Sequence, residues 1–487
     1  MKRTSKLLVL LPFLASTAIA SETINICQRG VIGDLIAEQT YAESCEAVSP
    51  QKMLELNSLG CSDGLVIDYI PSDAFKGLYN LDSIYFSGCV INKLSNNSFQ
   101  YLPALKTLNL SGNEIENIES DAFNGLSSLQ SLTLNDNRIL KLPASAFRGM
   151  TSLTNLSMTN NQLMKVPRET FAGLNSLTKL DLSNNWIERI WEDNFSNLAT
   201  LEYLNLSRND ITEIRDGAFY GLRNLIDLDL KKNQIQELYS EYFIDLKNLQ
   251  SLNLSENIIE RVSLDTFQHM PLLYSINLSS NKLVELTDSM FSSAKNLYRL
   301  DLDRNQVESI SDKAFKGLSK ITNLNLNRNR ISGITDGAFA ELKGLKNLSL
   351  YSNNLSQIKK DTLAGLNSLE EINFTNNKIE SIEDDAFNNL LTLKTIELAN
   401  NKLTEIKTNQ FSALQELNRI NLDRNEISII QKDAFINLNE KVRIDLSDTN
   451  ISEFSYKEAG LTKKQRQRNR ITVDRGVTIL EDNWDQE

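Results

Sequence analysis

The sequence predicts an α/β solenoid: a stack of sixteen to seventeen short coils whose strands join in one long parallel sheet, with a helical cap at the N-terminus. Three observations predict it. An asparagine recurs every 24 residues from Asn113 to Asn425. Leucine and isoleucine hold fixed offsets around it, as in LKTLNLSGNEIENIESDAFNGLSS (105–128) and its successor LQSLTLNDNRILKLPASAFRGMTS (129–152). A phenylalanine follows ten residues after each such position, from Phe99 to Phe339, is replaced at Leu363, and returns at Phe387, Phe411 and Phe435. A single coil of this kind cannot bury its own apolar face, whereas a stack can.

Residues 1–20 have the form of an export signal. Lys2, Arg3 and Lys6 precede an apolar run from Leu7 to Ala15, and Ala18-Ile19-Ala20 is a small-residue cleavage site. The run is too short to span a bilayer, and no cysteine follows the site to take a lipid anchor. The mature chain is expected to begin near Ser21 and to lie in an exported location: secreted, periplasmic or on the cell surface. Residues 21–64 are expected to cap the array. Val31, Ile32, Leu35, Ile36 and Gln39 have helical spacing, and Ser49-Pro50 starts a second helical turn carrying Met53 and Leu54.

The array covers 65–452. Its strict register extends from Cys89, at the asparagine position, to Thr449, which makes sixteen units without an insertion. A fading half-unit around Ile67, Ile70 and Phe75 precedes it. Each unit has three parts. Leu108-Asn109-Leu110 is a strand that sends its leucines inward and Asn109 outward. Asn113 sits in a turn, where its amide bonds backbone groups of its own coil and the next. The return carries Ile115 and Ile118 inward, and Ser120-Asp121 has the look of a cap on one helical turn before Phe123. The phenylalanine column is expected to be a core spine, because its period is that of the stack. The wider returns bend the stack with its strands on the inside.

Beyond 452 the pattern decays. Residues Tyr456 to Gln467 are expected to be helical, with KKQRQRNR (463–470) as the solvated face of a capping helix. RITVDRGVTILE (470–481) alternates well enough for one or two short strands, and Trp484 is placed to anchor the tail.

The pattern L-x-x-L-x-L-x-x-N-x-I-x-x-I-x-x-x-A-F-x-G-L resembles the leucine-rich repeat family in its 24-residue class. The resemblance implies a horseshoe with a concave strand face and a binding scaffold that contacts other proteins through that face. The N-terminal flank INICQRGVIGDLIAEQTYAESCEAVSPQKMLELNSLGC resembles that of secreted bacterial members. The animal extracellular pattern of clustered cysteines is absent, because the four cysteines are Cys27, Cys45, Cys61 and Cys89 and none follows the array. In an oxidising compartment Cys27 and Cys45, which bracket the first helix, are expected to form a disulfide. Cys61 and Cys89 either bridge neighbouring coils or remain two buried thiols.

Composition narrows the function. A net charge of −12 disfavours nucleic acid, which needs a basic face. The single histidine, His269, falls in the return FQHMP, so no Ser-His-Asp or Cys-His arrangement can form on the strand face. No phosphate-binding glycine loop occurs, and the cysteine spacing matches no zinc pattern. The chain is therefore read as a non-enzyme with no cofactor and no metal. Paired carboxylates such as Asp301 and Asp303 are repeat filler in this reading, because no pocket surrounds them.

Recognition is left, and departures from the repeat consensus at outward strand positions are its signal. Tyr203, Arg208, Asp227, Asp229, Lys231 and Lys232 occupy two adjoining coils. Tyr274, Tyr298, Arg299, Asp301, Asp303, Arg304 and Arg328 follow further along. A second group comprises Tyr351, Glu370, Glu371, Glu397, Arg419, Asp423 and Arg424. Tyrosine and arginine dominate protein interfaces. The patch over 203–304 is expected to bind a protein partner. The alternatives are a structural adhesin or envelope component, or a glycan-pattern receptor using scattered tyrosines. N-x-S/T triplets at Asn205, Asn253 and Asn277 would put glycans on that patch in a eukaryotic secretory route.

Overall fold

The computed structural model describes residues 26–468, 470–482 and 484. The predicted export signal lies outside the described residues. The chain divides into two compact units. The first ends at Trp186 and adds Asn197–Leu201, and the second comprises Ile187–Ser196 and the chain from Glu202 onward.

The first unit opens with the predicted cap. A 3-10 turn at Cys27–Arg29 leads into the helix Val31–Gln39. Gly33 is obligatory there, because a Cβ would lie 2.0 Å from the Ile26 carbonyl. Pro50–Glu55 is the second helix, with Ser49 accepting from the Lys52 amide at its N-terminus. Cys27 and Cys45 form a disulfide, and so do Cys61 and Cys89. The second bond settles the open alternative in favour of a bridge between coils. Gln39 closes the otherwise open sheet edge. Its amide nitrogen donates to the Gly60 carbonyl (2.6 Å) and its oxygen accepts from the Gly60 amide (3.2 Å), as a neighbouring strand would. Arg29, only 2% exposed, donates from Nη1 to the Ala74 carbonyl at 3.1 Å.

Six parallel strands follow in this unit, from Ser58–Gly60 to Lys179–Asp181. Within the array each pairs with the next at a 24-residue offset, as Leu108, Leu132, Leu156 and Leu180 show. The second unit continues the pattern with twelve strands, from Tyr203–Asn205 through Arg443–Asp445 to Ile471–Thr472. A second, smaller set of two-residue strands runs through the returns, such as Arg189–Ile190 beside Glu213–Ile214. These were not foreseen as strands. They arise because the inward isoleucine or leucine of each return brings two adjacent backbones into bonding distance.

The asparagine ladder is as predicted. Asn257 donates from Nδ2 to the carbonyls of Leu230 (2.9 Å), Leu254 (3.0 Å) and Ser255 (3.3 Å), and its Oδ1 accepts from the Ile235 amide at 3.1 Å. The residue before each ladder asparagine has a positive φ, from +48° at Arg328 to +65° at Asn376. Few of these residues are glycine, so the left-handed conformation is held by the stack. It aims the amide at the following coil: Lys232 N–H donates to Ser255 and Arg304 N–H to Asn327.

The phenylalanines are buried and stack along the returns, with ring centroids 6.0 Å apart for Phe99–Phe123 and 5.9 Å for Phe411–Phe435. The expected helical turns are mostly absent. The returns are runs of i+3 turns, as where Asn124 N–H bonds Asp121, and only Ser240–Phe243 is long enough to form a 3-10 helix. Gly125 (φ +92°) ends one such run where a Cβ would meet the Gln100 carbonyl at 2.5 Å.

The C-terminal helix is shorter than predicted, Lys463–Gln467, behind a Thr462/Gln465 capping box. Residues 456–460 are turns because Tyr456 is drawn inward against Phe454, at 5.1 Å between centroids. The basic run is partly paired, with Lys464 on Glu440 and Arg466 on Asp482. The two predicted strands form at Ile471–Thr472 and Thr478–Ile479.

Asn257→Ala leaves the buried Ile235 amide without its acceptor, while the carbonyls of Leu230, Leu254 and Ser255 each lose one of two donors and keep Asn233, Asn281 and Lys232. A cost of about 2 kcal/mol is expected, read as a lower thermal midpoint and faster hydrogen exchange at the Ile235 amide. Replacing Cys27 and Cys45 by serine opens an 18-residue closure. It should cost the cap about 3 kcal/mol in the chain-entropy model, measured as protease cleavage confined to residues before the array.

Candidate recognition surface on the strand face

The thirteen residues nominated between Tyr203 and Arg328 all lie in the second unit, and the structure separates them into two groups. The first is on the paired strands Tyr203–Asn205 and Asp227–Asp229, where Tyr203 sits beside Asp227. Asp227 is half-buried, and that burial raises its carboxyl above the usual range; a bond with Ser251 opposes the shift and the Asp229 charge adds to it. Arg208 occupies the left-handed turn. The next two strands, Ser251–Asn253 and Ser275–Asn277, present only small polar side chains outward.

The second group is more tightly built. Tyr274 and Tyr298 occupy equivalent positions in consecutive coils and stack with centroids 4.9 Å apart and planes 8° apart. They remain 49% and 39% exposed. Arg299, also exposed, begins the strand beside them. Asp303 takes ion pairs from Arg304 (3.7 Å) and Arg328 (3.3 Å). The Arg328 guanidinium lies 5.3 Å over the ring of Tyr351. Tyr351, assigned to the C-terminal group from sequence, is thereby joined to this one.

Two nominated aspartates have a local structural duty. Asp301 Oδ1 accepts from the Asp303 amide and from Asn325 Nδ2, both at 3.0 Å. Asp229 likewise accepts from the Lys231 amide at 2.8 Å. Asn205, Asn253, Asn277 and Asn325 make the same bond two residues on. This Asx turn ends each of these strands, so asparagine or aspartate at that position reports the repeat. The signal was present in the sequence as a 24-residue column, and only the turn geometry gives its meaning. His269 lies in a return turn, away from the strand residues. Among the described residues, no three of His, Cys, Asp and Glu gather where they could hold a metal ion.

Sequence reasoning missed Lys346. It shares a column with Tyr274, Tyr298, Glu370 and Lys394. Glu370 is bonded by Lys394 (2.6 Å) and Lys346 (2.9 Å), which hold its carboxyl down at about 2. The surface therefore runs from a tyrosine pair into a rim of alternating charge. The third nominated cluster continues it, with Arg419 on Glu397 at 2.7 Å.

A parallel-stranded solenoid with an asparagine ladder is a repeat scaffold. The profile described as leucine rich repeat matches 55–115, 103–163, 154–211, 200–258, 228–283, 271–331, 319–379 and 371–427. The chain belongs to the leucine-rich repeat family. A comparison with curated protein sequences finds no match. Among solved structures it is similar to a chain of the Toll–Spatzle complex of Drosophila, with a TM-score of 0.66 and 22% identity over 86% of this chain and 61% of that one. It thus spans about three fifths of that neighbour. It is also similar to a leucine-rich repeat protein of Leptospira interrogans, with a TM-score of 0.56 and 23% identity over 87% and 97% of the two chains. An internalin of Listeria monocytogenes gives a TM-score of 0.50 and 22% identity over 78% and 99%. These likenesses are of fold. No helix among the described residues is long and apolar enough to cross a membrane.

The Glu370 pairing has a titration signature. Its folded value lies below the ordinary 4.5, so its contribution to stability is present above 4.5 and is lost as pH falls toward 2. A carboxyl NMR titration should find a midpoint near 2 that climbs toward 4.5 in Lys346→Met/Lys394→Met. An unchanged midpoint in that variant would refute the pairing.

Proposed function

We propose that this protein is an exported recognition scaffold that binds a protein partner through the outward face of its parallel sheet, centred on Tyr274, Tyr298 and Arg299. The observation that carries the reading is the stacked, exposed tyrosine pair beside an arginine, on backbone held by strand pairing. Rigid aromatics lose little conformational freedom on binding, and tyrosine with arginine supplies most interface hot spots. Asp303, Arg304, Arg328 and Tyr351 extend the contact area with charges already fixed by one another. The Tyr203–Asp227 pair is a flanking contact in this reading, reached across the small polar strands between. Two disulfides support export, because such bonds persist in oxidising compartments. The same fold meets a protein ligand, Spatzle, in the Toll complex.

Tyr298→Ala with Arg299→Ala should weaken capture of the partner by roughly thirtyfold or more, the scale of two interface hot spots. The thermal midpoint should stay near that of the parent, since both side chains are exposed. Equal capture by parent and variant would remove this face from consideration. So would full binding by protein that mass spectrometry finds glycosylated at Asn253 and Asn277.

A further inference from the structure

The smaller ladder in the returns of the second unit carries a feature with no counterpart elsewhere in the repeat. Trp191, Tyr239 and Tyr242 wall a hollow of about 560 Å³, floored by Ile214 and edged by three carboxylates, Glu192, Glu213 and Asp216, and one guanidinium, Arg215. Trp191 and Tyr239 are each 40% exposed. The two tyrosines meet edge to face at 5.5 Å, and Tyr242 is braced on Phe243 of the core spine. The phenol of Tyr242 is pushed above its ordinary value, first by burial and then by the charges of Tyr239, Asp216, Glu237 and Glu213.

The hydrogen-bonding groups here are unequally used. Glu213 is matched by Arg189 (3.1 Å) and Arg215 (2.7 Å). The Tyr239 hydroxyl donates to Glu237, which also faces Arg261. Glu192 and Asp216 have no ion pair or side-chain hydrogen bond among the described residues. The donors of Arg189, Arg215 and Tyr239 are therefore occupied, while the carboxylates of Glu192 and Asp216, which only accept, are open. A cation needs acceptors and aromatic faces, and both are present. The protein's own chemistry points the same way: the guanidinium groups of Arg189 and Arg215 already lie 5.9 and 5.5 Å from the Trp191 ring centroid.

We propose that this hollow is a second binding site, and that it seats an arginine or lysine side chain of a partner polypeptide between Trp191 and the Tyr239–Tyr242 pair. Glu192 and Asp216 supply the counter-charge. The volume admits one or two long side chains and lies within the range of small-ligand sites. The site uses the return ladder and shares no residue with the strand-face patch, so each can fail without the other.

The test is a titration of the full chain with an acetylated, amidated hexa-arginine peptide. Calorimetry gives the affinity, and the indole N–H resonance of Trp191, assigned through Trp191→Phe, reports the place. The Trp191 resonance should move to saturation. Glu192→Gln/Asp216→Asn should weaken binding about tenfold or more, the scale of one charge-assisted bond. Asp312→Asn/Asp361→Asn removes the same charge elsewhere and should change it less than twofold, as should Tyr298→Ala/Arg299→Ala. Thermal midpoints of all variants should match the parent. Equal weakening by the remote pair would reveal a bulk-charge effect and overturn the proposal. So would an unmoved Trp191 resonance, loss through the strand-face variant, or a Trp191 shift caused by maltohexaose and not by the peptide.

Discussion

The structure depends on one side chain used repeatedly. Each ladder asparagine bridges two coils: its Nδ2 donates backward to the preceding coil and to its own turn, and its Oδ1 accepts from a backbone amide 22 residues earlier. Only an amide side chain of this length offers two donors and an acceptor in that span. Aspartate lacks the donors, and threonine reaches less far. Thr449 accordingly bonds only its own turn, at the Leu446 carbonyl, and the array ends there. At Cys89 the same position is filled by a disulfide to Cys61. The ends of the array are the two places where a covalent bond or a reduced hydrogen-bond set replaces the ladder.

A fixed register turns surface residues into columns. Charges one coil apart meet at the same height, and opposite signs pair there: Glu370 with Lys346 and Lys394, Arg189 with Glu213, and Glu237 with Arg261. Such exposed pairs are individually weak, but like charges stacked in register would be unfavourable along the whole column. Several charged residues on this protein are therefore explained by their column neighbours. A carboxylate or an aromatic ring that no column neighbour explains is a better sign of function than charge alone.

That rule also measures how far the sequence could be read. The ladder, the phenylalanine spine, the cap helix and the first disulfide were legible because each is a repeat or a local signal. The break at Leu363 was legible too, and the leucine fills it from within the core. The left-handed residue before each asparagine was not. Arginine, lysine and serine stand there as readily as glycine, since the stack imposes the conformation. The helix expected at Tyr456 failed because tertiary packing of one aromatic outweighed helical periodicity. In the candidate surface, Tyr274 and Tyr298 were recognisable by type and column. Asp229 and Asp301 were overvalued, because their role closes a turn with a backbone amide that composition does not reveal. The hollow at Trp191 was missed entirely: its walls come from residues 191, 239 and 242, which look unrelated until the returns are stacked.

The two sites put forward use different resources of one scaffold. The core needs leucine, isoleucine, asparagine and phenylalanine at fixed places, which leaves the outward strand positions and the return tips free to vary. On the strands a side chain is held by hydrogen bonds on both sides, and a flat tyrosine pair can offer area at little entropic cost. In the returns the backbone is a chain of turns, and concavity becomes possible where large rings from alternate coils flank a smaller one. Trp191 and Tyr239 stand at equivalent positions two coils apart, with Arg215 between them. Arginine at the middle position bends across Trp191 to reach Glu213, and this leaves the gap open. A third aromatic there would close it into a continuous stack, much like the spine beneath. The hollow thus exists because one column breaks its own repetition, in a protein whose stability comes from keeping it.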